Sequence, residues 1–142
     1  MPWSDDTTPI GTIRERLAAF NAERDWAQYH SPRNLAMAVS AEAGELLALY
    51  LWASDGGPQP PVASRGGQVE DEAADVLISL LNLCNVAGID LAAAVDRKLV
   101  RNADRYPANL SRGRLEKYSE LPTSEAAPCS TTVPRPPPGS PR

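Results

Sequence analysis

Two acidic pairs set inside apolar helical stretches constrain this chain more than any other feature. Leu35 to Trp52, LAMAVSAEAGELLALYLW, carries Glu42 and Glu45 as its only charged residues. A second apolar stretch holds Glu72 and Asp75, and no Lys or Arg occurs from Gly66 to Asp96. Residues three apart share one face of a helix, so each pair presents two carboxylates side by side. Unpaired carboxylates against apolar surroundings are costly, and a cation is the usual remedy. None stands at helical spacing beside either pair, which removes the ordinary explanation of a surface ion pair. Oxygen donors without nitrogen or sulfur suit a hard divalent cation, Mg2+ or Mn2+, and a phosphorylated substrate to accompany it.

Punctuation along the chain organises the helices that carry these pairs. Thr8-Pro9 reads as a cap and first helical residue, and Ile10, Ile13, Leu17 and Phe20 follow at helical spacing, giving a helix to about Arg24. Glu23 to His30 is a polar and aromatic connection. Ser31-Pro32 repeats the start signal for a second helix ending near Ala53. A Gly/Pro-rich loop runs from Ser54 to Gly67. A third helix begins near Gln68 with acids in its first turn and stops at Gly88; Asp90 caps a fourth, about Leu91 to Arg105. Leu110 to Leu121 offers apolar anchors for a short docking segment. The expected class is therefore all-α, a four-helix chain with no strand. Residues 1–121 form one domain, and 122–142, with seven of the fourteen prolines, form a disordered Pro-rich tail. Helices two and three are apolar around much of their circumference, which predicts an oligomer.

The 142 residues carry a net charge of −4, which argues against nucleic acid as the partner. Cys84 and Cys129 stand far apart in different contexts, so neither a disulfide framework nor a zinc site is indicated, and a reducing, cytoplasmic setting is expected. No secretory signal or membrane helix is legible. A di-iron bundle needs Glu-x-x-His on two helices, and His30 is the single histidine. Neither an EF-hand loop nor a P-loop is present.

Two further groups have both a plain and a functional reading. Lys98, Arg101, Asn102 and Arg105 fall near one face of helix four, either a solvated basic face or a Lys and an Asn that hold phosphate oxygens. Trp26, Tyr29 and His30, with Trp52 at the far end of helix two, are either the edge of a core or the flat walls of a nucleobase pocket.

The spacing E-x-x-E at Glu42/Glu45, then E-x-x-D at Glu72/Asp75, on two helices of a small all-α chain resembles the MazG-like nucleoside triphosphate pyrophosphohydrolases. Within them, the segments AERDWAQYHSPRNLAMAVSAEAGEL, QVEDEAADVLISLL and RYPANLSRGRLEKYSEL resemble the dCTP pyrophosphatase branch. The resemblance covers about Ile13 to Leu121. It implies a helical-bundle homotetramer with active sites completed between subunits, and Glu42, Glu45, Glu72 and Asp75 as catalytic ligands of Mg2+. Trp26, Tyr29, His30 and Trp52, with Ser79, would line the base pocket, and Lys98 and Asn102 would meet the phosphates. Three residues depart from the branch: Leu17 stands where it tends to have a histidine, Ser79 where it tends to have a tyrosine, and Val100 where an acid is common. The implied reaction is Mg2+-dependent hydrolysis of a deoxynucleoside triphosphate, dCTP or a modified dCTP, to the monophosphate and pyrophosphate. The alternatives are a broad or dUTP-preferring pyrophosphohydrolase and a non-enzymatic helical module whose acids bind a basic partner.

Overall fold

In a computed structural model, residues 3–51 and 67–121 are described. They form five helices and no strand: α1 Ile10–Ala22, α2 Pro32–Ala48, α3 Gln68–Ala87, α4 Leu91–Arg105 and the single turn α5 Ala108–Ser111, with a 3-10 turn at Trp26–Tyr29. The chain divides at Val95/Asp96 into two compact units. The expected loop between α2 and α3, including Trp52, lies largely outside the described residues, as does the Pro-rich tail.

The start signals are realised unequally. Ser31 Oγ accepts from the backbone N–H of Asn34 at 3.1 Å and Pro32 opens α2, as the dipeptide predicts. The similar Thr8-Pro9 does not act this way. Pro9 itself takes the cap position, and Thr8 Oγ1 instead accepts from the Ser4 N–H at 3.1 Å. That bond closes a Ser4–Thr8 turn before the helix and leaves no side-chain cap. α2 stops at Ala48 rather than near Ala53, and its last residues, Leu49 to Leu51, wind into turns. α3 runs as expected and ends on Gly88 at φ 64°, a left-handed conformation that costs glycine little. Asp90 Oδ1 accepts from the Ala93 N–H at 3.0 Å and starts α4. The expected docking segment is only partly formed. Tyr118 packs edge-on against Tyr106 with ring centroids 6.0 Å apart, while Leu115 is fully exposed.

α2 lies along α3, and α1 packs on α3. Two amide contacts tie α1 down: Arg14 Nε donates to Asn85 Oδ1 at 2.7 Å, and Asn21 Nδ2 donates to Asn82 Oδ1 at 2.9 Å. Asn85 Nδ2 returns a bond to the Arg14 carbonyl at 3.1 Å. The buried core is small. Among the described residues Leu35, Leu81 and Cys84 are its apolar members, joined by the polar Ser79 and Asn82. Large apolar side chains elsewhere face solvent, among them Met37, Leu47, Leu51 and Leu99, each more than half exposed. No single described helix is long and apolar enough to cross a membrane.

Candidate active site

The acids expected to act together do meet in space. Glu42 and Glu45 on α2 and Glu72 on α3 each bring a carboxylate oxygen to within 4.8 Å of the others. Asp75, one turn further along α3, joins Glu42 on the wall of a cavity of about 420 Å³. Glu45 thus faces Glu72 while Glu42 faces Asp75, and Leu35 shares the cavity with Asn82. Rising numbers in α2 match falling numbers in α3, so the helices are antiparallel and the two pairs converge.

No Lys, Arg or His among the described residues forms an ion pair with these acids. Among the described residues the ion pairs are Arg24–Glu23 and Arg114–Glu116, and neither involves the cluster. Glu72, partly buried, has its carboxyl held above the ordinary 4.5, first by desolvation and then by the charges of Glu45, Asp75, Glu42 and Asp71. An all-oxygen set that repels itself and has no ion pair among the described residues fits a hard divalent ion. Glu42, Glu45 and Glu72 would hold it, with Asp75 beside them. Arg16, which the sequence did not single out, brings a positive charge to the cavity wall and makes no ion pair among the described residues.

Aromatic side chains form the other wall. Asp25 adopts a left-handed φ of 52°, a conformation to which Asp is well suited, and Gln28 Nε2 bonds both its carbonyl and its carboxylate at 2.9 and 3.0 Å. This turn sets Trp26 edge-on to Phe20, with ring centroids 5.7 Å apart, and to His30, 6.5 Å apart. Phe20, Trp26 and His30 all line the cavity. Trp3, held ahead of the Ser4–Thr8 turn, lines it too and was not anticipated.

The remaining expected site residues divide. Ser79 is buried on the cavity wall. Tyr29 is 62% exposed and does not line it. Lys98 and Asn102 belong to the other compact unit, Lys98 exposed and Asn102 half-buried. Trp52 lies outside the described residues. Sequence reading also missed Asn21 and Asn82. A lone amide inside the apolar run VLISLLNLC was the signal available for Asn82, since a polar residue within such a run needs a partner.

Antiparallel acidic helices walled by a third helix and an aromatic turn define a small all-α class. The MazG-like family matches residues 37–121, and the chain belongs to that family. It is 44% identical over 124 residues to dCTP pyrophosphatase 1 of Rattus norvegicus, across 85% of this chain and 73% of that protein. Against the Homo sapiens dCTP pyrophosphatase 1 it is 46% identical over 112 residues, 78% of this chain and 66% of the other. A crystal structure of a pyrophosphatase from Archaeoglobus fulgidus superposes with a TM-score of 0.62 at 36% identity, covering 75% of this chain and 99% of that one.

Proposed function

We propose that this chain is a nucleoside triphosphate pyrophosphohydrolase acting on dCTP or a modified dCTP, releasing the monophosphate and pyrophosphate. One observation carries the reading: a single cavity is lined both by the carboxylates of Glu42 and Asp75, beside Glu45 and Glu72, and by the aromatic side chains of Phe20, Trp26 and His30. Its volume, about 420 Å³, lies in the usual range for small-molecule sites. The relatives named dCTP pyrophosphatase supply the reaction and the base.

Glu42, Glu45, Glu72 and Asp75 are the proposed holders of Mg2+, with Mn2+ as a substitute. Bound there, the cation would offset the negative charge of the triphosphate and of the leaving pyrophosphate. A carboxylate of the set orients the attacking water and takes its proton. Attack at the α-phosphorus breaks the bond to the β-bridging oxygen, which leaves with the pyrophosphate. Trp26 and His30, with Phe20 behind Trp26, wall the base, and Trp52 is assigned to the same pocket. Arg16, Lys98 and Asn102 are the proposed phosphate contacts. A cytoplasmic homotetramer with composite active sites completes the reading, supported by the apolar side chains that one chain leaves uncovered.

The test is incubation of the full chain with each of the four dNTPs and dUTP, with and without Mg2+, and chromatographic separation of products. Monophosphate and pyrophosphate from dCTP, formed only with the metal, are expected. Release of orthophosphate, or no turnover of any nucleotide, would defeat the assignment.

A further inference from the structure

The far end of the cavity holds polar groups that the acids and aromatics leave unused. Asn82 is 7% exposed and Ser79 is 9% exposed, and both line the cavity wall on α3. Asn82 Oδ1 accepts from Asn21 Nδ2 at 2.9 Å, which joins the two amides across α1 and α3. Among the described residues, the Asn82 amide nitrogen and the Ser79 hydroxyl make no hydrogen bond. The Asn82 side chain is largely buried, yet its unpaired amide nitrogen stays open to the cavity and is available to a ligand there. Leu17, Phe20, Leu35 and Ile78 line the same cavity, with His30 as a further polar side chain on its wall.

Asp75, Ser79 and Asn82 stand on one face of α3, three to four residues apart. Asp75 and Asn82 are therefore separated by about 10 Å along the helix axis at the usual rise per residue. A ligand with its phosphates at the acids would meet the amides with the group at its other end. Leu17 and Ser79 lie one turn before Asn21 and Asn82 on the same two helices.

We propose that the Asn21–Asn82 amide pair is the base-reading element of this cavity and selects cytosine. The inference rests on the nucleotide-hydrolase reading above. With that bond made, the Asn21 carbonyl oxygen remains as an acceptor and the Asn82 amide nitrogen as a donor. Cytosine presents the complement, an exocyclic amine donor beside a ring-nitrogen acceptor. Uracil presents a carbonyl acceptor beside a ring N–H, so both amides must turn over together to receive it. Ser79 Oγ, one turn nearer the acids, is free to bond the base carbonyl or the sugar. The contact is equally available in the ground and transition states, so it acts on KM rather than kcat.

The experiment compares kcat/KM for dCTP and dUTP, two substrates that differ only at this edge, in the wild type, Asn21→Leu and Asn82→Leu. Asn85→Ala serves as a control, because Asn85 bonds Arg14 rather than lining this cavity. The wild type should prefer dCTP. Either leucine variant should raise KM for dCTP about 10-fold, the size expected for one buried hydrogen bond, with kcat nearly unchanged and the dCTP/dUTP ratio collapsing towards one. Asn85→Ala should leave that ratio as it is, even where its melting temperature falls. A ratio unaltered in both leucine variants, with their helical circular dichroism intact, overturns the proposal. Should the wild type hydrolyse no nucleotide, the functional reading falls by itself, and calorimetric titration with deoxycytidine and deoxyuridine then decides the pair. Preferential binding of deoxycytidine that Asn82→Leu removes would uphold it, and equal or absent binding would reject it.

Discussion

At the scale of single residues, the carboxylate cluster behaves as one electrostatic object. Glu72 feels Glu45, Asp75 and Glu42 at once, so exchanging any member for its amide removes a shared charge. Glu45→Gln and Asp75→Asn should each lower turnover by more than about 100-fold, beyond what loss of an outer-shell partner costs, while the fold persists. Steady-state assays with circular dichroism as a check would show this, and near-normal turnover in either variant would remove it from the site. Glu72 gives a prediction of opposite sign for stability. A carboxyl held above 4.5 in the folded chain adds stability at low pH that is lost as the pH rises through its raised value. At neutral pH the metal-free protein therefore carries an unfavourable charge. Glu72→Gln should melt at the same temperature as wild type or higher in EDTA, and should lose most of the upward shift that Mg2+ gives the wild type. At 100 times its dissociation constant a ligand adds about 2.7 kcal/mol, so that shift is readily measured. A lower melting point for Glu72→Gln in EDTA would mean the cluster is not self-repelling.

The elements bring these residues together through short local devices. Ser31 fixes where α2 begins, and thereby the phase at which Glu42 and Glu45 face α3. Ser31→Ala should cost about 1 kcal/mol in denaturant unfolding at fixed protein concentration, the usual penalty for a lost cap. No change would show that α2 is held by packing alone. The 3-10 turn does similar work for the base wall, setting Trp26 against Phe20 and His30. Trp26→Ala should raise KM for dCTP by about 5- to 150-fold, the equivalent of roughly 1–3 kcal/mol of base stacking, and lower kcat less. A variant with unchanged KM would take Trp26 out of the pocket. Helix identity at this scale was largely legible from punctuation, because caps, prolines and C-terminal glycines act within one turn. Thr8-Pro9 shows the limit: the same dipeptide logic failed where Ser4 competed for the threonine hydroxyl.

At the largest scale, many large apolar side chains among the described residues remain exposed. Leu35, Leu81 and Cys84 are the buried apolar residues among those described, against a long series of exposed leucines, valines and aromatics. Such a chain should be a tetramer, or at least a dimer, by light scattering at low concentration; a stable, active monomer would refute this. A chain ending at Leu121 should keep turnover, assembly and melting temperature, because the Pro-rich remainder has too little apolar surface to offset its ordering. A large loss in any of the three would assign the tail a structural role.

By itself the sequence determined the all-α class, the helix starts at Pro32, Gln68 and Leu91, and the two acidic pairs on facing helices. These follow from periodicity, caps and charge spacing, which are properties of neighbours along the chain. Tertiary structure decided what shares a cavity. It set Asp75 with Glu42, drew in Trp3 and Arg16, left Tyr29 outside, and paired Asn21 with Asn82 across 61 residues of sequence. Spacing within one helix predicts which side chains share a face. Which face meets which depends on how α1, α2 and α3 rotate about their own axes as their apolar surfaces are buried, and that is settled only when the helices pack.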